Sequence, residues 1–146
     1  MCTSAGVRAA LLIPVVKSFL TDISAEAANL GMQVYGGHGF IREWGMEQFV
    51  RDARIDQIYE GTNGIQALDL AGRKVARNGG KSVAAFLKDE RGWLSENSDA
   101  EGVAAFASAL SGAFDLLENI TNELLEQAGK DANATNALAM EYLDIF

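Results

Sequence analysis

The chain has 146 residues, half of them hydrophobic, with a formal net charge of −8, a size for one domain or two small ones sharing an interface. No apolar run approaches the roughly 18 residues that span a bilayer, and the apolar stretch behind Arg8 lacks a cleavage site, so it reads as a helix fragment rather than a signal peptide. The lone cysteine, Cys2, excludes an internal disulfide and a cysteine-based metal site, and makes the cytoplasm the expected compartment.

A single proline and abundant Ala, Leu and Glu favour helix, so the expected fold is all-α, a helical bundle. Residues 6–20 carry helical apolar spacing through Val7, Leu11, Leu12, Val15, Val16 and Phe19. Pro14 should end or kink this helix near Ile13. Thr21 or Asp22 then offers an N-cap for a second helix, Ile23 to about Tyr35, with Ile23, Ala27, Leu30 and Val34 on one stripe. The turn Gly36-Gly37-His38-Gly39 terminates it, and Phe40-Ile41 reads as a short extended piece. A third helix runs from about Met46 to Ala53, with Met46, Phe49, Val50 and Ala53 on one face; Trp44 and Phe49 read as core. The alternating charges Arg51, Asp52, Arg54 and Asp56 read as a salt-bridged surface. A fourth helix follows Thr62 to about Arg77, burying Ile65, Leu68 and Val75, with Arg73, Lys74 and Arg77 at the negative end of its dipole.

Composition shifts near Asn78-Gly79-Gly80. Residues 1–80 hold eight basic and eight acidic side chains, whereas residues 81–146 hold four and twelve, which is the whole excess charge. The expected division is therefore residues 1–79 and an acidic extension, residues 80–146. Three helices are expected in the extension: Ser82–Glu90, reaching towards Leu94; Ala100–Ala128; and Asn133 to the end. Its acidity makes it a poor nucleic-acid binder, since phosphate contacts need Lys and Arg. The apolar pattern running into Phe146 without a cap looks cut.

Two sites stand out. In Tyr59-Glu60-Gly61-Thr62 a lone carboxylate sits on a turn, beside Ile58 and Tyr59 as a dry wall and a glycine that lets a ligand approach the backbone. A general base needs a carboxylate that is fixed and partly desolvated; the plainer alternative is a turn into a Thr62-capped helix. The glycine turn at 36–39 follows a helix and lacks GxGxxG spacing, so it is no dinucleotide fingerprint. It either offers backbone N–H groups to a phosphate or simply joins helices. His38, the only histidine, has no Ser or Cys partner at a suggestive spacing.

The set QVYGGHG (33–39), RDARI (51–55) and IYEGTNGIQ (58–66), in this order and spacing, resembles the C-terminal helical domain of the acyl-CoA dehydrogenases over about residues 10–78. GHGFIREWGMEQ and YEGTNGIQALDLAGRK resemble the larger bacterial members, among them methylthiopropanoyl-CoA dehydrogenases, which append a further helical domain. The resemblance implies an FAD enzyme that desaturates an acyl-CoA thioester between its α and β carbons. It implies Glu60 as the α-proton base, with its backbone N–H polarising the thioester carbonyl, and Gly61 as a substrate contact. Thr62, Asn63 and Gly64 match a stretch touching FAD; Gln33, Val34, Tyr35, Gly36 and Gly37 match one reaching the FAD of a neighbouring subunit. Many family members carry Gln or Glu where this chain has Gly64, so a side-chain contact is lost there. The family's flavin-holding N-terminal and middle domains have no counterpart, so the chain resembles a fragment, expected to be inactive and colourless alone and to self-associate as a homo-oligomer. An electron-transfer flavoprotein or similar acceptor is the implied partner of the intact enzyme. The reading from another class is a non-catalytic all-α interaction or oligomerisation module.

Overall fold

A computed structural model describes residues 4–146; Cys2 lies outside them. Every element among the described residues is helical, and there is no strand. Helix α1 (Ser4–Val34) is one unbroken rod of 31 residues, about 46 Å long at 1.5 Å per residue. The break expected at Pro14 and the fresh start at Thr21 or Asp22 do not occur. Proline removes one intrahelical donor, but Leu11, Pro14 and Ser18 form the buried line of the rod, and that burial outweighs the missing bond. Thr21 donates its hydroxyl back to the carbonyls of Lys17 (2.9 Å) and Ser18 (3.1 Å), as threonine does inside a helix.

Helix α2 (Gly37–Phe40), a 3₁₀ turn (Arg42–Trp44) and α3 (Met46–Asp56) fold back along α1. The expected extended piece shrinks to Ile41, because Phe40 ends α2. Trp44 and Phe49, expected in the core, are 54% and 63% exposed; Trp44 meets His38 edge-on, 5.0 Å between ring centroids. On α3 it is Ala53 that is buried. The charges expected to pair there do not pair with one another among the described residues. Instead Asp52 accepts from Gln48 Nε2 at 2.6 Å and Arg54 donates to Gln57.

Helix α4 (Asn63–Leu68) runs on through a π-helical stretch, Asp69–Val75, and a 3₁₀ turn, Ala76–Asn78. Ile65 and Leu68, expected to be buried, are exposed, whereas Ala67, Leu70, Ala71 and Val75 are buried. The C-terminal helices pack on that other side, and Val75 joins it within a stretch whose turns are wider than 3.6 residues. Arg73 and Lys74 serve Asp69 rather than the helix end, Lys74 Nζ lying 3.4 Å from its carboxylate. Burial pushes the Asp69 carboxyl up, but the hydrogen bond from Arg73 and the charge of Lys74 prevail and hold it below its usual value.

Gly79 and Gly80, both at positive φ, turn the chain into α5 (Lys81–Asn97), longer than expected. Helix α6 (Ala107–Lys130) starts seven residues later than the spacing suggests, because Gly102 adopts φ +85°. Helices α7 (Ala132–Ala137) and α8 (Ala139–Ile145) flank Leu138 in place of one C-terminal helix. A single buried cluster runs from Leu11 through Leu70 and Val75 to Val83, Leu87, Phe114, Leu124 and Tyr142, so residues on both sides of Gly79-Gly80 share it. Arg8 adds a link from α1, pairing with Glu90 and lying over the Phe86 ring. No helix among the described residues is long and apolar enough to cross a membrane.

The Tyr142 hydroxyl is buried 2.8 Å from Thr121 Oγ1, and burial pushes its pKa from 10.0 to about 12. The unfolded chain releases this proton near pH 10, the folded chain near pH 12. Stability is therefore full below pH 10 and is lost as pH rises through 12, by on the order of 2–3 kcal/mol. Urea midpoints across this range, compared with Tyr142→Phe, check it; parallel profiles for the two proteins would exclude a shifted Tyr142.

Candidate functional site on the Glu60 turn

Helix α3 ends with the N–H groups of Ile58 and Tyr59 both donating to the Ile55 carbonyl, at 2.9 and 3.0 Å. The chain then has six residues, 57–62, in which to reverse before α4 begins. It does so by placing Glu60 at φ 54° and Gly61 at φ +86°. Glycine takes this region freely, but an L-residue there is held against a cost of order 1–2 kcal/mol. Glu60 is the one non-glycine residue at positive φ among those described. Such an outlier persists where the surroundings over-determine it, and it marks candidate functional positions.

The surroundings that hold Glu60 are specific. Its carbonyl accepts from Gln66 Nε2 at 3.4 Å, and a Cβ on Gly61 would come within 2.8 Å of that same amide nitrogen. Thr62 caps α4, accepting from the Ile65 N–H at 3.2 Å as expected. The Asn63 N–H reaches the Gln57 carbonyl at 3.4 Å, closing the loop on itself. The Asn63 side chain faces α1: Oδ1 accepts from Lys17 Nζ at 2.7 Å and lies 3.3 Å from Thr21 Oγ1, and Nδ2 donates to Asp22 Oδ1 at 2.8 Å. Both the oxygen and the nitrogen of that amide therefore have partners within the chain. Gly64 sits beside Thr62, an added Cβ meeting Thr62 Oγ1 only at 3.8 Å. The Glu60 side chain is exposed, and so are Ile58 and Tyr59, the expected dry wall. A hydrogen bond to Asp56, helped by the charge of Glu60, raises the Tyr59 hydroxyl above its usual value.

The second cluster lies elsewhere. Gln33 and Val34 finish α1, Val34 is 85% exposed, and Gly36 turns the chain at φ 60° and ψ −143°. Added Cβ atoms at Gly36 or Gly37 would meet nothing within 4 Å, so this backbone is open to an incoming group. Gly39 is different: a Cβ there would lie 2.3 Å from the Met32 carbonyl oxygen, a close approach that only glycine allows. Leu30, Gln33, Gly36, Gly37 and Phe40 line a shallow groove of about 530 Å³ at this end. Asn63 docks at Asp22, eleven residues before Gln33, hence about 16 Å away along α1. Gly61 to Gly64 thus share a site with Glu60, and Gln33, Val34, Tyr35, Gly36 and Gly37 do not join it within one chain.

Residues 3–75 match the family model described as acyl-CoA dehydrogenase, C-terminal domain. The chain belongs to the acyl-CoA dehydrogenase family. The matched stretch contains both clusters and the whole buried run from Ala67 to Val75. Among its relatives, the 3-methylmercaptopropionyl-CoA dehydrogenase of Ruegeria pomeroyi is 42% identical over 92% of the chain and 23% of that protein. The broad-specificity linear acyl-CoA dehydrogenase FadE5 of Mycobacterium tuberculosis is 35% identical over 65% of the chain and 18% of its own length. An acyl-CoA dehydrogenase of Bacillus subtilis is 44% identical over 38% of the chain and 14% of its own length. The chain spans less than a quarter of the length of these relatives. An alignment over 92% of the chain cannot stop at residue 75, so the first of these relatives also matches the acidic half.

Sequence reasoning missed Lys17, Asp22, Gln57 and Gln66, the side chains that position the turn. The available signal was the polar group Lys17, Ser18, Thr21 and Asp22 crossing an otherwise apolar helix.

Proposed function

We propose that the chain is the helical portion of a flavin-dependent acyl-CoA dehydrogenase, with Glu60 as the base that takes the α-proton of an acyl-CoA thioester. The observation that carries this is the left-handed backbone of Glu60, bracketed by hydrogen bonds on both sides, in a family member. In the reaction the α C–H electron pair becomes the new double bond while its proton passes to the Glu60 carboxylate. FAD, when bound, supplies the acceptor for the β-hydrogen, which leaves with its electron pair. The backbone N–H of Glu60 is the group proposed to polarise the thioester carbonyl, with Gly61 leaving space for the acyl chain. The residues present fit a flavin at two edges. One is Thr62 and the backbone of Asn63 and Gly64; the other is the open backbone of Gly36-Gly37 with the exposed Gln33, Val34 and Tyr35, serving a neighbouring subunit's flavin. A homo-oligomer is part of the proposal, as is an electron-transfer flavoprotein or similar acceptor. Residues 80–146 are proposed as the start of a further helical domain.

The test is a chimera in which residues 3–146 replace the matching stretch of the Ruegeria pomeroyi enzyme. Anaerobic addition of 3-methylmercaptopropionyl-CoA or another acyl-CoA should bleach its flavin. A folded, flavin-loaded chimera that stays yellow with every thioester would refute the reading.

One observation also fits the second reading, an oligomerisation module. Ile13, Val16, Phe19, Leu20, Ile23 and Leu30 all remain exposed along α1, an apolar stripe of the kind that marks association sites. A yellow-to-colourless response separates the two readings, since a scaffold gives none.

A further inference from the structure

The loop that carries Glu60 is closed by one carboxylate. Asp22 Oδ1 accepts from two donors, Gln57 Nε2 and Asn63 Nδ2. These stand three residues before and three after Glu60. Asp22 lies on α1, a rod anchored in the core at Leu11 and Pro14, and its other oxygen faces Ser18 Oγ at 3.4 Å. Lys17 donates to the oxygen of the Asn63 amide, which fixes its orientation. The two feet of the loop are thus tied to a single atom of a rigid helix, with Glu60 at the crown in a conformation it does not favour by itself.

We infer that Asp22 is a positioning residue for Glu60, a staple that closes loop 57–63 and holds the carboxylate's backbone left-handed; its catalytic meaning rests on the function proposed above. The staple works by acceptor geometry rather than by charge. An asparagine at position 22 keeps the oxygen that takes both donors, and its NH2 can donate to Ser18 Oγ. Alanine removes the acceptor and leaves the Gln57 and Asn63 amides without it. Opening the staple lets Glu60 relax towards negative φ, displacing the base while the acyl-CoA contacts contributed by the rest of an enzyme remain.

Hydrogen exchange read by mass spectrometry on the 146-residue chain tests the staple itself. In Asp22→Ala, peptides covering residues 57–63 should exchange roughly tenfold faster or more, the scale expected when two hydrogen bonds are lost. Peptides from α6 should be unchanged, and Asp22→Asn should stay close to the parent. Unchanged exchange at 57–63 in Asp22→Ala would overturn the staple. Faster exchange throughout would reduce Asp22 to a fold residue, and an asparagine variant as open as alanine would overturn the acceptor argument. The same substitutions in the chimera test positioning: Asp22→Ala should lower kcat roughly tenfold or more with KM within about twofold, and Asp22→Asn should restore most of it. An open loop with undiminished kcat overturns the positioning role and leaves the staple standing. A parent chimera that never reduces flavin sinks the functional reading alone, because the exchange result stands without it.

Discussion

Glu60→Gln in the chimera is expected to slow flavin reduction by about 10²–10⁴-fold, with acyl-CoA affinity nearly unchanged. Glutamine keeps the length and shape of the side chain, and at φ 54° it carries the same backbone cost as glutamate. The loop contacts do not involve the carboxylate: Gln66 meets the Glu60 carbonyl, and Asp22 ties Gln57 to Asn63. Any loss of rate therefore reports the missing base and not a displaced turn. Asp52 and Asp56 are the nearest rival carboxylates. Asp52 is held by Gln48 at 2.6 Å, and both lie on α3 rather than on the turn, so their amides should cost much less. Stopped-flow absorbance of the flavin separates chemistry from binding. Reduction near the parent rate in Glu60→Gln would show that another group takes the proton.

Leu70→Ala should be the most damaging single truncation in the fold, costing about 2–5 kcal/mol. Leu70 is 0% exposed and sits where α4 and the C-terminal helices meet. The substitution removes buried methyl groups and leaves a cavity that helices fixed on several sides cannot collapse. Domains of this size hold a margin of roughly 5–15 kcal/mol, so this one change takes a large share. Leu68→Ala, two residues earlier and exposed, is the control and should cost far less. The difference in urea midpoint between the two variants decides the matter; equal losses would mean that Leu70 does not lie in the shared core.

What could be read from the sequence followed from features that act locally. The Gly36-Gly37 stop, the Thr62 cap and the Tyr59-Glu60-Gly61 turn depend on neighbours within a few residues, and each lies where the residues indicate. The helical class was equally legible. Errors arose where tertiary contacts outvoted local rules. Pro14 stays inside α1 because Leu11, Pro14 and Ser18 bury one line of it, which no local rule can anticipate. Ile65 and Leu68 have the spacing of a buried face, yet the partner helices chose Ala67, Leu70 and Ala71. Trp44, Phe49 and much of α1 look like core by composition and are exposed, since composition does not say whether a cover exists. At the site, Glu60 was legible as a carboxylate on a glycine turn, whereas Asp22 was not, because its partners lie 35 and 41 residues away.

The single core has a bearing on how such a chain is inherited. Leu70, Ala71 and Val75 come from one side of Gly79-Gly80, and Val83, Leu87, Leu124 and Tyr142 from the other, yet all are buried together. A crossover at those glycines would part each set from the residues that fit it, so a drift in size on one side has to be answered on the other. The acidic stretch is thus no freely exchangeable cassette. Its surface can accumulate charge without consequence for the join, while its inward face must evolve in step with the helix that follows the Glu60 turn.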